Sequence, residues 1–252
     1  MTNFELYKAR LERLANLKLN LDLERREDFT TANGWNLDQY EADLPPEATG
    51  EPCSNGSFKA AQAVLREYRF PPPDLITGIF LPDQPLEQRV MLLRANFLGL
   101  QFFFGVKVCG VTNELRQVGN GQERLWGYRY ATLEGHFERG QIEFLIAKNL
   151  QTGTVQFRID AFSKTGLIEN VFYRVGFWLF GRRLQKRFAR QSLTRMQLLV
   201  AQALSRGDLE ALSRGDSEAL KIGSSPEIKI APENSVAKAK LEELTPKKDV
   251  PS

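Results

Sequence analysis

The chain has 252 residues, of which 42% are hydrophobic and 26% charged, and its formal net charge is +3. This composition predicts one folded domain of ordinary size, and two widely separated cysteines, Cys53 and Cys109, exclude a disulfide-stapled secreted domain. The first residues lack the apolar core of a signal peptide, and no apolar run approaches the ~20 residues of a membrane-spanning helix, so we expect a cytoplasmic protein.

Three elements are predicted before the sheet. Apolar residues three and four apart over 4–21 predict an amphipathic helix inside an N-terminal extension of residues 1–32. The segment 34–44 is too short for a clear helical stripe and is ended by two prolines, so we expect a first strand there. Ser57 in N-cap position predicts a helix over 58–70, which three consecutive prolines stop.

The middle of the chain predicts an antiparallel sheet. β-branched and aromatic runs alternate there with turn signals, and the turns are too short for the crossovers that parallel strands need. The predicted strands cover residues 76–81, 88–97, 100–112, 123–133, 141–148 and 154–163. A long helix over 168–204 follows. The predicted fold class is therefore α+β, a curved antiparallel sheet wrapped on a long C-terminal helix in a domain of residues 33–204.

Residues 205–252 form a tail of different composition. The octet at 205–212 is nearly repeated at 213–220, and a lysine-, glutamate- and proline-rich end follows. Such a segment buries too little apolar area to offset the entropy of ordering, so we expect disorder beyond about residue 222. Its two Arg-Gly-Asp triplets are attributed to chance and duplication.

Period-two alternation separates an apolar, aromatic face of the predicted sheet from a charged face. An apolar face beneath a long helix is either a filled core or a ligand cavity. Buried tyrosine hydroxyls need hydrogen-bond partners in both cases, so both alternatives stay open. The candidate ligand-lining residues on this face are Phe104, Tyr128, Tyr130, Thr132, Phe144 and Phe157.

The only histidine, His136, lies between two predicted strands and beside Glu134 and Glu138. It is either a turn residue that caps a carbonyl or pairs with one of these glutamates, or a catalytic residue at the mouth of a cavity. The neighbouring carboxylates are expected to raise its pKa. No metal-ligand spacing and no glycine-rich phosphate loop occurs in the chain, so we expect neither a metal nor another cofactor.

One side of the predicted C-terminal helix is basic. A solvated face is the usual outcome of such a run, and docking on an anionic membrane surface or a partner is the alternative. The aromatic run at 177–180, one turn earlier, favours membrane over nucleic acid. The residues of this surface basic patch are Arg182, Arg183, Lys186, Arg187 and Arg190.

Four segments resemble the family called domain of unknown function 1990. They are YRYATLEGHFERGQIEF at 128–144, WNLDQY at 35–40, AFS at 161–163 and QKRFARQS at 185–192. The resemblance spans roughly residues 34–200. It departs from the family pattern at Ala131, where glycine is typical, and at Gln141, where glutamate is typical.

The order of elements is also similar to the helix-grip superfamily of START and Bet v 1 type proteins, which mostly hold hydrophobic ligands between sheet and C-terminal helix. This resemblance implies a helix-grip fold and the leading hypothesis, binding of a small hydrophobic or amphipathic molecule. The alternatives are an enzyme of the same fold that uses His136 as general acid or base, and an adaptor that docks through the basic helix. The sequence predicts no oligomeric state.

Overall fold

The structure is a computed structural model that describes residues 3–97, 100–136, 138–165, 171–206 and 229–231. The side chains of 177–180, and the tail except for 229–231, lie outside the described residues. The expectations of an aromatic membrane contact and of a disordered tail concern those parts.

The helices are α1 (Asn3–Ala15), α2 (Ser57–Arg66) and α3 (Val171–Arg206). The strands are β1 (Asn36–Leu44), β2 (Ile76–Phe80), β3 (Val90–Phe97), β4 (Leu100–Val118), β5 (Gly121–Thr132), β6 (Glu138–Asn149), β7 (Val155–Thr165) and β8 (Lys229–Ala231). Short 3-10 helices cover Arg26–Asp28, Thr31–Asn33 and Leu86–Gln88.

The eight strands of the described residues form one antiparallel sheet in the order β1-β7-β6-β5-β4-β3-β2-β8. The meander from β2 to β7 is the predicted one, and β1 pairs with β7 at one edge of the sheet. The three-residue strand β8 comes from the tail and pairs with β2. The chain therefore has the predicted helix-grip architecture, with α2 and α3 on the concave side of the sheet.

The concave face, α2 and α3 together bury the main hydrophobic core. Tyr128 and Phe144 from the sheet pack with Leu65 from α2 and Met196 from α3. The opposite face carries the charged side chains that alternation predicts, for example the Arg129–Glu143 pair at 3.5 Å. The prediction of one apolar and one charged face is confirmed for β5 to β7, whereas on β2 and β3 the opposite face is also apolar, because Ile79 and Leu92 are buried there with Tyr7 and Leu11 of α1.

Three predicted helix boundaries are wrong at the N-terminal side of the chain, and one of them is the end of α2, which lies at Arg66 instead of at residue 70 before the three prolines. The helix α1 ends at Ala15, because the following residues pair with the end of β5 through Leu19 and Leu133. The N-cap of α2 is Gly56, while the Ser57 hydroxyl donates to the carbonyl of Pro45 at 2.5 Å.

The start of α2 is instead satisfied by a side chain from the loop after β1. A carboxylate oxygen of Glu47 accepts the backbone N–H of Phe58 at 2.7 Å, and the other accepts the Lys148 ammonium at 2.8 Å. The Lys148 side chain is 0% exposed and that of Glu47 3% exposed, so this ion pair is buried. A helix start has unpaired N–H groups that attract an anion, which is the position Glu47 occupies.

Candidate functional site

Five polar side chains meet where α3 passes over β1, β6 and β7, and a sixth, His136, lies in the turn before β6, where its Nδ1 accepts the backbone N–H of Glu138. Each of the three strands contributes one polar side chain on the concave face at this end of the sheet, and α3 contributes two from the side that faces the sheet. We call this group the mouth cluster: Asp38, His136, Glu138, Ser163, Arg182 and Gln185.

Arg182 and Asp38 join α3 to β1 by a two-pronged ion pair. One guanidinium N–H donates to Asp38 Oδ1 at 2.7 Å and another donates to Oδ2. Tyr40 donates its hydroxyl proton to the same Oδ1 at 3.2 Å. The hydrogen bonds to Asp38 raise the pKa of Arg182. Arg182 therefore faces the sheet and is compensated there, unlike the outward-facing members of the predicted basic patch.

Glu138 is the carboxyl group that joins β6 to α3. Its Oε1 accepts a hydrogen bond from Gln185 Nε2 at 2.5 Å, and the Ser163 hydroxyl also donates to it. Burial raises the pKa of Glu138, although these hydrogen bonds and the charge of Arg182 act in the opposite direction. The protonated form is thus more accessible near neutral pH than in an ordinary glutamate.

His136 lies in the predicted turn between β5 and β6. Its backbone N–H donates to the Leu133 carbonyl at 3.1 Å, and Gly135 adopts a φ of 83° that the turn requires. The ring accepts the backbone N–H of Glu138 at Nδ1, 2.9 Å away, and meets Phe104 edge-on with centroids 4.7 Å apart.

The expected rise in the pKa of His136 is wrong, because burial lowers it to about 4. The neighbouring carboxylates are engaged elsewhere: Glu134 accepts the backbone N–H of Lys18, and Glu138 binds Gln185. At neutral pH the ring is uncharged, and since Nδ1 accepts a hydrogen bond, the ring proton lies on Nε2. His136 can then donate a hydrogen bond, but it is a poor source of an acidic proton.

Four of the candidate ligand-lining residues lie deeper in the concave face. Tyr128 donates to the carbonyl of Leu65 at 3.3 Å, and the hydroxyls of Tyr130 and Tyr68 are 3.3 Å apart. Burial raises the pKa of both Tyr128 and Tyr130, the latter to about 12. Phe144 and Phe157 are fully buried and pack against one another. These side chains form a packed back wall, and their role in lining a ligand stays a prediction.

The other two candidates lie closer to the mouth cluster. Phe104 is half-buried beside His136. Thr132 binds Asn20 Oδ1 at 2.6 Å and accepts the backbone N–H of Gly140 at 3.0 Å. Thr132 therefore fixes the segment after α1 to the sheet.

Two surface grooves lie outside the concave face. One, of about 390 Å³, is on the outward side of α3, and the other, of about 450 Å³, lies between the segment after α1 and the ends of β6 and β7. Within the described residues, no group of three or more His, Cys, Asp and Glu side chains is placed to hold a metal ion. Across the same residues, no helix combines the length and apolar composition needed to cross a membrane.

A family model described as "Domain of unknown function (DUF1990)" matches residues 22–195. The chain belongs to this family. No curated protein matches the sequence. The DUF1990 segments recognised in the sequence all reach the mouth cluster: 35–40 supplies Asp38, 128–144 supplies His136 and Glu138, 161–163 supplies Ser163 and 185–192 supplies Gln185.

Solved structures similar to the DUF1990 chain share little sequence with it. A crystal structure of Ara h 8.0201 is 11% identical, with 68% of this chain and 99% of that chain covered and a TM-score of 0.40. A START superfamily protein from Mycobacterium smegmatis is 12% identical, with coverages of 66% and 97% and a TM-score of 0.40. A norcoclaurine synthase point mutant from Thalictrum flavum, in complex with a transition-state analogue, is 10% identical, with coverages of 68% and 95% and a TM-score of 0.40.

Sequence reasoning singled out His136, considered Glu138 only as its pairing partner, and gave no role to Asp38, Ser163 or Gln185. The available signal was that each of these residues lies in a segment that carries the family resemblance. Nothing in their spacing along the chain indicates that they meet, because Asp38 and Arg182 are 144 positions apart.

Proposed function

We propose that the protein binds a small molecule with an apolar body and a polar head at the mouth cluster. The observation that carries this proposal is the connected set of hydrogen bonds from Asp38 through Arg182 and Gln185 to Glu138 at the end of an otherwise apolar face. Removing such groups from water costs free energy, and costly polar groups with a shifted pKa concentrate at functional sites.

The charges of the mouth cluster favour one class of polar head. Arg182 is compensated by Asp38, and Glu138 is bonded to the neutral groups of Gln185 and Ser163. An anionic head would lie beside the carboxyl groups of Asp38 and Glu138, and the charge of Arg182 is already compensated by Asp38. A head that donates hydrogen bonds, such as an amine or a hydroxyl, can instead bind the Glu138 carboxyl directly.

The apolar body would lie against residues of the concave face next to the cluster. Ile142 and Ala161 are paired across β6 and β7, with Phe104 near His136. Tyr128, Tyr130, Phe144 and Phe157 close the face behind them. These four candidate ligand-lining residues are then a back wall, and Phe104, a fifth candidate, lies beside His136 at the edge of the mouth cluster.

Native mass spectrometry of the gently purified protein, followed by extraction of any released molecule, tests the proposal. The variant Ala161→Trp puts an indole on the concave face between Asp38 and Ile142, its neighbours in register. The control Gln39→Trp adds the same ring on the exposed side of β1. We expect a bound mass in the wild type and in Gln39→Trp, and its loss from Ala161→Trp at an unchanged far-UV circular dichroism spectrum.

A weak ligand could be lost during purification, so binding is also measured directly by calorimetric titration with decylamine and decanoate. Binding of either probe to the wild type and Gln39→Trp, but not to Ala161→Trp, supports the proposal. An empty wild-type protein that binds neither probe contradicts it.

A further inference from the structure

The outward side of α3 carries a row of exposed cations. Arg183, Lys186 and Arg190 are exposed, and among the described residues none of them has an ion-pair partner. Arg187 pairs with Asp74 at 2.9 Å, but both side chains are more than half exposed, so water weakens that pair. These four cations and Gln191 line the groove of about 390 Å³.

The positive surface continues onto the segment that follows α2. The Nε–H of Arg195 donates to the backbone carbonyl of Arg69 at 2.9 Å, which brings this segment beside α3. Burial and then the charge of Arg69 lower the pKa of Arg195, so two like charges lie close together there. Like charges that the fold holds together destabilise it unless an anion compensates them.

We propose that this surface, which we call the basic face, docks on an anionic lipid membrane. A straight helix advances 1.5 Å per residue, so the cations from Arg183 to Arg190 lie along roughly 10 Å of one helix side and are attracted together to an anionic membrane surface. The residues that line the groove are arginine, lysine and glutamine. Single-stranded nucleic acid sites also present aromatic rings on which bases stack, and this groove presents none among the described residues.

The backbone geometry of α3 is consistent with this partner. The helix runs without a break from the basic face into the aromatic and apolar sequence at 177–180. Cations beside such a sequence are typical of helices that lie at the headgroup boundary of a membrane. The proposal is independent of ligand binding at the mouth cluster.

Flotation of the full chain with phosphatidylcholine vesicles, with and without 30% phosphatidylserine, tests the proposal. The test variant combines Arg183→Glu, Lys186→Glu and Arg190→Glu. The matched control combines Lys18→Glu, Lys59→Glu and Arg139→Glu, which reverses three exposed cations elsewhere and gives the same net charge change. Thermal melting establishes that both variants are folded.

We expect the wild type and the control to bind only the phosphatidylserine vesicles, and less so as salt is raised. The test variant should lose binding on the order of 100-fold, because each surface cation contributes about five-fold. Equal losses in the two variants would show that net charge alone acts and would overturn the proposal. Failure to bind the anionic vesicles, or tighter binding to single-stranded RNA than to them, would also overturn it.

Discussion

His136 and Glu138 lie two residues apart, and burial shifts the pKa of each in the direction that favours the uncharged form. For the imidazole the shift is downward, to about 4, and for the carboxyl it is upward. The two groups therefore respond to the same desolvation with opposite changes in proton affinity. At neutral pH the site therefore presents an uncharged imidazole beside a carboxyl group whose pKa is raised.

The lowered pKa of His136 predicts acid sensitivity. Because the unfolded ring, with a pKa near 6.5, binds a proton more readily than the folded one, stability is full above pH 6.5 and falls as the pH drops towards about 4. The loss is at most roughly 3 kcal/mol for a shift of this size. Urea unfolding of the wild type and of His136→Asn between pH 4 and 7 measures it.

His136→Asn should remove the pH dependence of the free energy of unfolding between pH 6.5 and 5, where ordinary carboxyl groups do not yet titrate. Since the chain has one histidine, its ring proton signals in an NMR titration are assigned without ambiguity. A midpoint near 6.5 in the folded protein would contradict the structural account.

Glu138 predicts the selectivity of the mouth cluster. We expect decylamine to bind more tightly than decanoate by on the order of 10-fold, because a charge-assisted hydrogen bond to the carboxyl is available only to the amine. Glu138→Gln keeps the shape and removes the charge, so the preference should disappear in a calorimetric comparison. Glu143→Gln, on the opposite face of β6, is the matched control and should keep it. Equal binding of both probes to the wild type would refute the head-group assignment and leave binding itself intact.

At the scale of single elements, α2 depends on residues that do not belong to it. Glu47 binds the first turn and is held in turn by Lys148 of β6. At the other end, the carbonyl of Arg66 accepts a hydrogen bond from Arg89 at 2.6 Å. Both ends of the helix are thus satisfied from the sheet and its loops.

We expect Glu47→Gln to destabilise the protein by about 3–5 kcal/mol, because it leaves the buried ammonium of Lys148 without a charge partner. The double variant Glu47→Leu with Lys148→Met should be more stable than Glu47→Gln, since it removes both buried charges. Urea unfolding measures both differences. An exposed pair provides the control: Glu114→Gln, which breaks the Arg116–Glu114 pair, should have an effect below about 1 kcal/mol.

The end of α2 shows how packing overrides local preference. Tyr68 has a φ of 55°, the left-handed conformation that usually selects glycine after a helix. Its ring occupies the space beside Gly78, where an added Cβ would lie 2.6 Å from the ring, and its hydroxyl meets Tyr130. The burial of a large side chain outweighs a backbone strain of roughly 1–2 kcal/mol.

For the whole molecule, the tail and the end of α3 predict opposite responses to truncation. Removing residues 223–252 deletes only the three paired residues of β8 from the described fold, so the melting temperature should be nearly unchanged. Ending the chain after Arg195 removes Met196, Val200 and Ala203 from the main core and should abolish cooperative unfolding. Differential scanning calorimetry of both truncations checks this. A large shift from the tail deletion would give β8 a structural role that three residue pairs do not account for.

The sequence by itself determined the fold class and the face that each strand buries. Alternation in β5 to β7, the short turns of the meander and the long final helix are local patterns. A strand buries every second residue and an amphipathic helix every third or fourth, so the pattern is visible in neighbouring positions of the sequence. Residues such as Tyr128, Phe144 and Phe157 could therefore be assigned to the concave face before any contact was known.

Only the tertiary structure decided which polar groups meet and what charge they carry. Asp38, Glu138 and Arg182 come from three elements distant in the chain, and their spacing in the sequence does not indicate that they lie close together. The sequence places glutamates next to His136 and predicts a raised pKa, whereas the fold turns those carboxylates towards other partners and buries the ring. Hydrophobic periodicity is a property of neighbours along the chain, but desolvation and ion pairing depend on neighbours in space, which only folding provides.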